Sequence, residues 1–224
     1  SGNSNVAIGA KALYLNTVKS NLVAIGDSAL YKNGQGATSE QAIFNTAVGS
    51  KVLSANTIGV ANTGLGFLAL TANISGNLNT GLGAGVLSEN TTGSFNCAFG
   101  TSSLQSNISG SSNVGIGIYA LQELIDGDNN VAIGQRAGNN LASGSGNVFL
   151  GYEAGYNETA SNRLYISNSN ADGSNALVYG EFDNQVFRIN GNVGIGESPG
   201  SYKLSVLHNS FGLKIQNTNY PTNS

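Results

Sequence analysis

The stretch Asn130-Val131-Ala132-Ile133-Gly134 decides the fold of this chain, because variants of it recur along most of the sequence. Its last residue, called here the repeat glycine, stands at nine places: Gly9, Gly26, Gly49, Gly66, Gly83, Gly100, Gly117, Gly134 and Gly151. Seven of the eight intervals are 17 residues, and the other is 23. A fixed short period is typical of a solenoid, whose coils stack because none can bury its apolar face alone. We therefore predict a parallel β-solenoid of nine 17-residue coils over residues 1–158, with a six-residue insertion near 34–41.

Three columns precede the repeat glycine. The residue before it is always large and apolar, the residue two before is Ala or Gly in eight of nine coils, and the residue three before is β-branched except at Cys97. Branched residues favour strands, in which successive side chains point to opposite faces. We expect the Val/Thr and large aliphatic columns to line the core. The Ala/Gly column then faces the other way, where its small side chains predict close approach of a second chain.

Asparagine and glycine columns predict the turns. Asn stands four residues before the repeat glycine in eight coils and seven after it in six, which predicts turns whose amides bond from coil to coil. A glycine column ten after, from Gly36 to Gly144, predicts a further turn. Between the turns lies an Ala-Leu pair such as Ala69-Leu70. Four residues cannot distinguish a short strand from a single helical turn there, and we favour a predominantly β coil.

Composition argues against several functions. Only 9% of residues are charged, the net charge is −3 and no basic patch is predicted, so we expect no nucleic-acid partner. No apolar stretch approaches 18 residues, so we expect no membrane insertion. Cys97 and His208 are the only residues of their types, which leaves triads and zinc sites without their usual parts. The segment 126–130 begins like a calcium loop but lacks its later ligands. We predict no enzyme, cofactor or metal site.

Residues 159–224 form a second predicted region, a small strand-rich β segment. The period stops near residue 160, and strands are predicted over 163–167, 176–182, 185–190, 202–207 and 212–216. Asp183-Asn184 is a predicted two-residue hairpin turn, and the solenoid phrase returns once at 191–196. Because the chain lacks methionine even at its first position, we expect it to be a processed product or part of a longer protein.

Two resemblances cover nearly the whole chain. The phrase at Asn5–Gly9 and Asn130–Gly134 resembles the head repeats of YadA-like trimeric autotransporter adhesins. The stretches 162–167, 177–180, 191–199 and 202–206 look like the segment that precedes the self-cleaving chaperone of S74 type in phage tail fibres and tailspikes. Both resemblances imply an intertwined homotrimeric fibre in an extracellular place, either on a virion or phage-tail-like particle or on a cell surface. The chaperone domain itself is not in this sequence.

We therefore expect a structural and adhesive segment of a trimeric tail-fibre-like protein, a rigid shaft that attaches to a cell-surface polysaccharide or an outer-membrane receptor. The alternatives are the head of a bacterial trimeric surface adhesin and, as a minor one, an ice-binding solenoid using Thr46, Thr63 and Thr80. Aromatic and amide side chains that could stack on and bond sugars occur in two places. The predicted receptor-binding residues are Tyr31, Gln35, Glu40, Gln41, Tyr152 and Tyr156.

Overall fold

Twelve short strands form one sheet in chain order. The structure is a computed structural model that describes residues 2–190, 197–198 and 201–202. The strands are β1 Val6–Ile8, β2 Val23–Ile25, β3 Thr46–Val48, β4 Thr63–Leu65, β5 Thr80–Leu82, β6 Cys97–Phe99, β7 Val114–Ile116, β8 Val131–Ile133, β9 Val148–Leu150, β10 Arg163–Ile166, β11 Val178–Glu181 and β12 Val186–Ile189. Over the described residues the protein is all-β, without a helix.

Strands β1 to β10 are parallel and in register. Thr63, Gly64 and Leu65 of β4 pair with Thr80, Gly81 and Leu82 of β5, and the joints from β1 to β9 align the same three columns. The predicted solenoid of nine coils is confirmed. The sheet continues past residue 158 because β10 pairs with β9, and the compact unit ends at Asn190.

The predicted orientation of the strand faces was wrong. The Ala/Gly column lies inside the coil, where Ala24, Ala47 and Ala132 are completely buried. The large aliphatic column points outward, and Ile8 and Leu65 are 59% and 50% exposed. The column is small because the coil is thin: a Cβ added to Gly64 would lie 2.4 Å from Val52 Cγ1 in the opposite layer. The close neighbour of the Ala/Gly column is therefore the Ala-Leu half of the same chain.

The Ala-Leu half is neither a strand nor a helical turn. Its residues two and four after the repeat glycine have left-handed backbone, and the leucines among the latter have φ between 49° and 54°. Such a φ ordinarily costs a non-glycine residue about 1–2 kcal/mol. Hydrogen bonds between coils offset it: Leu68 N–H donates to Ser50 in the coil before at 3.1 Å, and Leu70 N–H to Val86 in the coil after at 3.0 Å.

Two buried asparagine ladders hold the turns, as predicted. In the first ladder, the amide nitrogens from Asn45 to Asn130 donate to the glycine carbonyl of their own coil, and each Oδ1 accepts the backbone N–H of the next asparagine, as from Asn79 to Asn62 at 3.0 Å. At the ends, Asn5 and Asn147 donate to Lys19 O and Ala160 O instead. In the second ladder the amides bond one another, as from Asn73 to Asn56 at 2.9 Å. Buried polar groups need such partners, because leaving one unpaired costs about 1–3 kcal/mol.

A third ladder lies on the surface and was not predicted. Side chains six before the repeat glycine accept the backbone N–H of the residue one coil earlier, as Ser111 does from Ser94 at 3.1 Å. Asp128 belongs to this ladder and accepts from Ser111 N at 2.7 Å. One of the two carboxylates in the segment 126–130 that begins like a calcium loop thus completes a coil-to-coil bond.

Aromatic residues close the end of the solenoid core. Phe149 replaces the small residue of its column, and its ring fills the space that a leucine takes in earlier coils. A Cβ added to Gly138 or Gly155 would lie 2.5 Å or 2.3 Å from that ring. Tyr165 of β10 packs 5.9 Å from Phe149 between ring centroids, and Tyr179 of β11 packs 5.1 Å from Tyr165.

The last strands of this unit agree with the sequence, with one correction. Antiparallel strands β11 and β12 extend the sheet from β10. Glu181 pairs with Val186, so the hairpin loop has the four residues 182–185, with Asp183 and Asn184 at its centre, rather than two. A second unit begins at Gly191, and in it β13 (Glu197–Ser198) pairs with β14 (Ser201–Tyr202). The predicted returning phrase at 191–196 and the strand at 212–216 lie outside the described residues, as does the strand at 202–207 beyond Tyr202.

Candidate functional site

A cavity of about 270 Å³ opens on the Ala-Leu side of the first three coils. Its lining consists of Lys11, Ser28, Tyr31, Lys32, Lys51, Ser54 and Ala55. Of the six residues predicted to bind a receptor, only Tyr31 belongs to it. The lining residues belong to three columns of the repeat, which stand two, five and six residues after the repeat glycine.

Backbone geometry sets the lysines around this cavity. Lys11, Ser28 and Lys51 occupy equivalent corners of successive coils and share left-handed φ values of 57°, 55° and 59°. Lys51 N–H donates to Asp27 O at 2.7 Å, and Lys32 N–H donates to Ser54 O at 3.1 Å. The ladder therefore fixes the spacing of the cationic side chains. Within the described part of the chain, none of the three lysines forms an ion pair.

Tyr31 lies between the cavity and a second aromatic ring. Tyr14, one coil earlier in the same column, stacks on it with ring centroids 5.4 Å apart and planes 3° apart. Tyr14 is 64% exposed, whereas Tyr31 is half-buried. The two rings form a flat aromatic step beside the lysines, a surface on which the apolar face of a sugar can pack.

The insertion bulges from the coil, as its length predicts. Asn33 donates to Ala42 O at 2.8 Å, whereas in a regular coil the acceptor is a glycine carbonyl such as that of Gly59. Gly36, which the sequence placed in the glycine column, therefore belongs to the bulge, and Ala42 takes the column position. Lys19 is buried and its Nζ donates to Thr38 O. Gln41 accepts Thr38 N–H at 3.0 Å and so holds the loop itself. The exposed members of the predicted site in this loop are Gln35 and Glu40.

Tyr152 and Tyr156 lie on the ninth coil, seven steps from Tyr31, which is about 34 Å at the usual strand spacing. The structure therefore does not bring the two predicted groups together. Glu153 beside them pairs with Arg136 one coil earlier at 3.2 Å. A hydrogen bond to Glu153 raises the pKa of Tyr152, with the negative charge of that carboxylate adding to the effect.

The lysine cluster was missed by sequence reasoning. Lys11, Lys32 and Lys51 are 21 and 19 residues apart, so they form no basic run, and the sequence analysis predicted no basic patch. A signal was present: aligning the coils on the repeat glycine puts Lys11 and Lys51 in one column, two residues after Gly9 and Gly49.

The remaining groups with metal-binding or nucleophilic chemistry are His, Cys, Asp and Glu side chains. No group of three or more His, Cys, Asp or Glu side chains that could hold a metal ion occurs among the residues the structure describes. Burial raises the pKa of the Cys97 thiol. His208 lies outside the described residues. That the chain is not an enzyme stays a prediction.

Comparison of the chain with protein families, curated proteins and solved structures found no match in any of the three. In the part of the chain that the structure describes, no helix has the length and apolar character to cross a membrane.

Proposed function

We propose that this chain is a structural and adhesive segment of a homotrimeric, extracellular tail-fibre-like protein, in which the solenoid is a rigid shaft. One observation carries the proposal: the outward face of strands β1 to β9 is apolar and uncharged. The columns one and three before the repeat glycine contain no charged residue in nine coils, and Ile8, Leu65 and Ile133 are 59%, 50% and 42% exposed.

This strand face is large for a soluble monomer. Nine strands at about 4.8 Å and about 10 Å of strand width give an area on the order of 400 Å². Contiguous apolar patches of several hundred Å² mark interaction surfaces, and depletion of charge marks the centre of an interface. Phe44, Leu78 and Phe95, each more than half exposed, widen the face at the turn before the strand.

Further copies of the same chain are the partner that fits. Equal 17-residue steps give each copy the same repeat of ridges, so three parallel copies can meet in register around one axis. The resemblance to trimeric heads and fibres sets the number at three. The interface is the Val/Ile face, in place of the Ala/Gly face expected from the sequence. The alternative is the head of a bacterial trimeric adhesin, which the same apolar strand face would support equally.

The ice-binding alternative gains one observation. Thr46, Thr63 and Thr80 pair in register in the outward column, whereas the sequence predicted that this column would line the core. The column is otherwise Val and Cys, and large aliphatic side chains flank the three threonines. A regular threonine array is thus limited to three coils.

The test is the absolute mass in solution by light scattering coupled to size exclusion. A homotrimer has three times the chain mass of 22.8 kDa. A monomer at micromolar concentration would overturn the trimeric fibre and make thermal hysteresis, the signature of ice binding, the next measurement. Trimers that also bind cells carrying surface polysaccharide would support the attachment function. Trimers that bind no such cells would refute attachment and support only the structural role of a shaft.

A further inference from the structure

We propose that the cavity between Lys11, Lys32 and Lys51 binds an acidic saccharide, one with a carboxylate on alternating sugar units. The inference rests on the proposed attachment function and names its ligand class. It follows from three features that meet in the first three coils: the cations, the aromatic step, and the spacing that the solenoid imposes.

The cations provide the charge preference. Four of the nine Lys and Arg residues lie within the first 51 residues, beside two carboxylates, although the whole chain has a net charge of −3. The cavity lining contains three of those four lysines and no carboxylate. Hydrogen bonds from an ammonium group to a carboxylate are about twice as strong as neutral ones.

The aromatic step and the hydroxyls favour a sugar over a simple anion. Tyr31 lines the cavity and stacks on Tyr14 at 5.4 Å, which gives an apolar surface next to the charged groups. Ser28 and Ser54 contribute hydroxyls that can donate and accept. Saccharide sites combine an aromatic platform with a few polar groups in this way.

The solenoid sets the distance between charges. Lys11 and Lys51 are two coils apart in one column, about 10 Å at the usual strand spacing. This is close to the length of a disaccharide, so two carboxylates separated by one neutral sugar can each meet a lysine. A cavity of 270 Å³ holds one or two sugar units rather than a long chain.

The site stays open in the proposed trimer. Its residues belong to the Ala-Leu layer, whereas the proposed interface is the outward face of the strand layer, and the buried Ala/Gly column lies between the two. Saccharide binding and assembly therefore use different sides of each coil.

Titration of the full chain with a fluorescent hyaluronan tetrasaccharide, which alternates acidic and neutral units, tests the proposal. A dextran oligosaccharide reports stacking without charge, and a short polyglutamate reports charge without sugar. We expect saturable binding of the tetrasaccharide that weakens with salt, and weaker binding of both controls. No binding, or equal binding of polyglutamate, would overturn the proposed ligand class.

Three variants locate the site. Lys51→Gln and Tyr31→Ser should each weaken tetrasaccharide binding at least about threefold, which is the effect of losing one exposed charged contact. Serine already occupies the column of Tyr31 at Ser54 and Ser88, so the coil accommodates it. Arg136→Gln is the matched control, because Arg136 stands in the Lys51 column with φ 57° but on the eighth coil.

An equal loss in Arg136→Gln would show a general charge effect and refute the site. The mass measurement separates this inference from the proposed function. A trimer without saccharide binding refutes the cavity alone, whereas a monomer that binds the saccharide refutes the trimeric fibre alone.

Discussion

Asn107 and Leu124 lie one coil apart at the point where the second amide ladder ends. The Asn107 amide donates to Asn90 Oδ1 at 2.9 Å, but its own Oδ1 is buried without a hydrogen-bond partner. The next residue of the column, Leu124, has no amide to offer. The ladder thus ends in an orphan acceptor, which carries a cost of about 1–3 kcal/mol.

Moving the end of the ladder should cost less than breaking its middle. Asn107→Leu removes one orphan acceptor and creates another at Asn90. Asn90→Leu leaves Asn73 Oδ1 without its donor while the Asn107 acceptor stays orphaned, and the Asn107 amide keeps only its bond to Gly110 O. We expect Asn90→Leu to be the less stable variant by about 1–3 kcal/mol. Thermal unfolding followed by circular dichroism measures the difference, and equal melting temperatures would contradict a cooperative ladder.

Two glycines with positive φ should respond differently to alanine. Gly83 has φ 142°, and its added Cβ would lie 2.7 Å from Gly100 O in the next coil. Gly36 has φ 75°, and no atom lies within 4 Å of its added Cβ. Gly36→Ala should cost only the left-handed strain of about 1 kcal/mol. Gly83→Ala adds a clash between coils and should cost at least about 3 kcal/mol. Similar melting temperatures would show that the joint can widen.

Phe149 and the two glycines beside it should be energetically coupled. Phe149→Ala leaves a cavity and should destabilise the end of the solenoid by about 3–5 kcal/mol. Adding Gly138→Leu and Gly155→Leu restores the arrangement of earlier coils, where leucine packs against alanine at φ values near those of the two glycines. We expect the triple variant to recover most of the loss, whereas the two leucines alone should clash with Phe149. A double-mutant cycle on denaturant unfolding measures the coupling.

Alkaline pH should weaken the aromatic end of the sheet. Burial raises the pKa of Tyr179 to about 12, with its hydrogen bond to Glu181 adding to the shift, and burial together with Glu158 raises the pKa of Tyr165 further. Above pH of about 10 the unfolded state loses the phenol proton and the folded state keeps it. Stability therefore falls as pH rises from about 10 to 12, by up to about 1.4 kcal/mol per pH unit for each tyrosine.

Melting temperatures across that range test this effect. Tyr179→Phe should remove the Tyr179 share of the slope and leave that of Tyr165, whereas the control Tyr14→Phe, a change at an exposed ring, should keep the full slope. If Tyr179→Phe keeps the full slope, the alkaline loss originates elsewhere.

If the proposed trimer forms through the strand face, a charge on that face should dissociate it. Ile116 is 38% exposed in the outward column, and Ile116→Lys would place an ammonium group in an apolar interface. Ser109→Lys puts the same charge on an exposed turn and should leave the mass unchanged. Light scattering on both variants distinguishes an interface from a general effect of added charge.

The sequence predicts the repeat and register of the coils well, but it does not predict which strand face lies in the interior. The period of the repeat glycine is sufficient to predict the parallel register, and the asparagine columns are sufficient to predict the ladders. Alternation assigns side chains to two faces without saying which is the interior. Large residues normally mark a core, but a coil this thin has room only for small residues in the inward strand column, where Gly64 faces Val52 and Gly81 faces Val86 and Leu70. The inversion could have been inferred from the Ala-Leu pair, which already fills the interior.

The candidate site was harder to predict than the fold. Tyr31 was predicted because aromatic residues suit sugars, and it lines the cavity, but Gln41 holds its own loop and Tyr156 lies seven coils away. The lysines form a group only when the coils are superposed on the repeat glycine. To find a cluster of side chains that are distant in the chain but equivalent in the repeat, the register of the coils must be known as well as the composition.

Because every joint from β1 to β9 pairs the same three columns, the number of coils can change without any joint changing in kind. Removing or adding 17 residues from one repeat glycine to the next would rejoin equivalent partners and alter the shaft by a single step of about 4.8 Å. Reach and surface chemistry can thus vary independently, since a duplicated coil lengthens the rod while the three lysine-bearing coils keep their spacing. In the proposed attachment fibre, the distance to a target would then change only in whole coils.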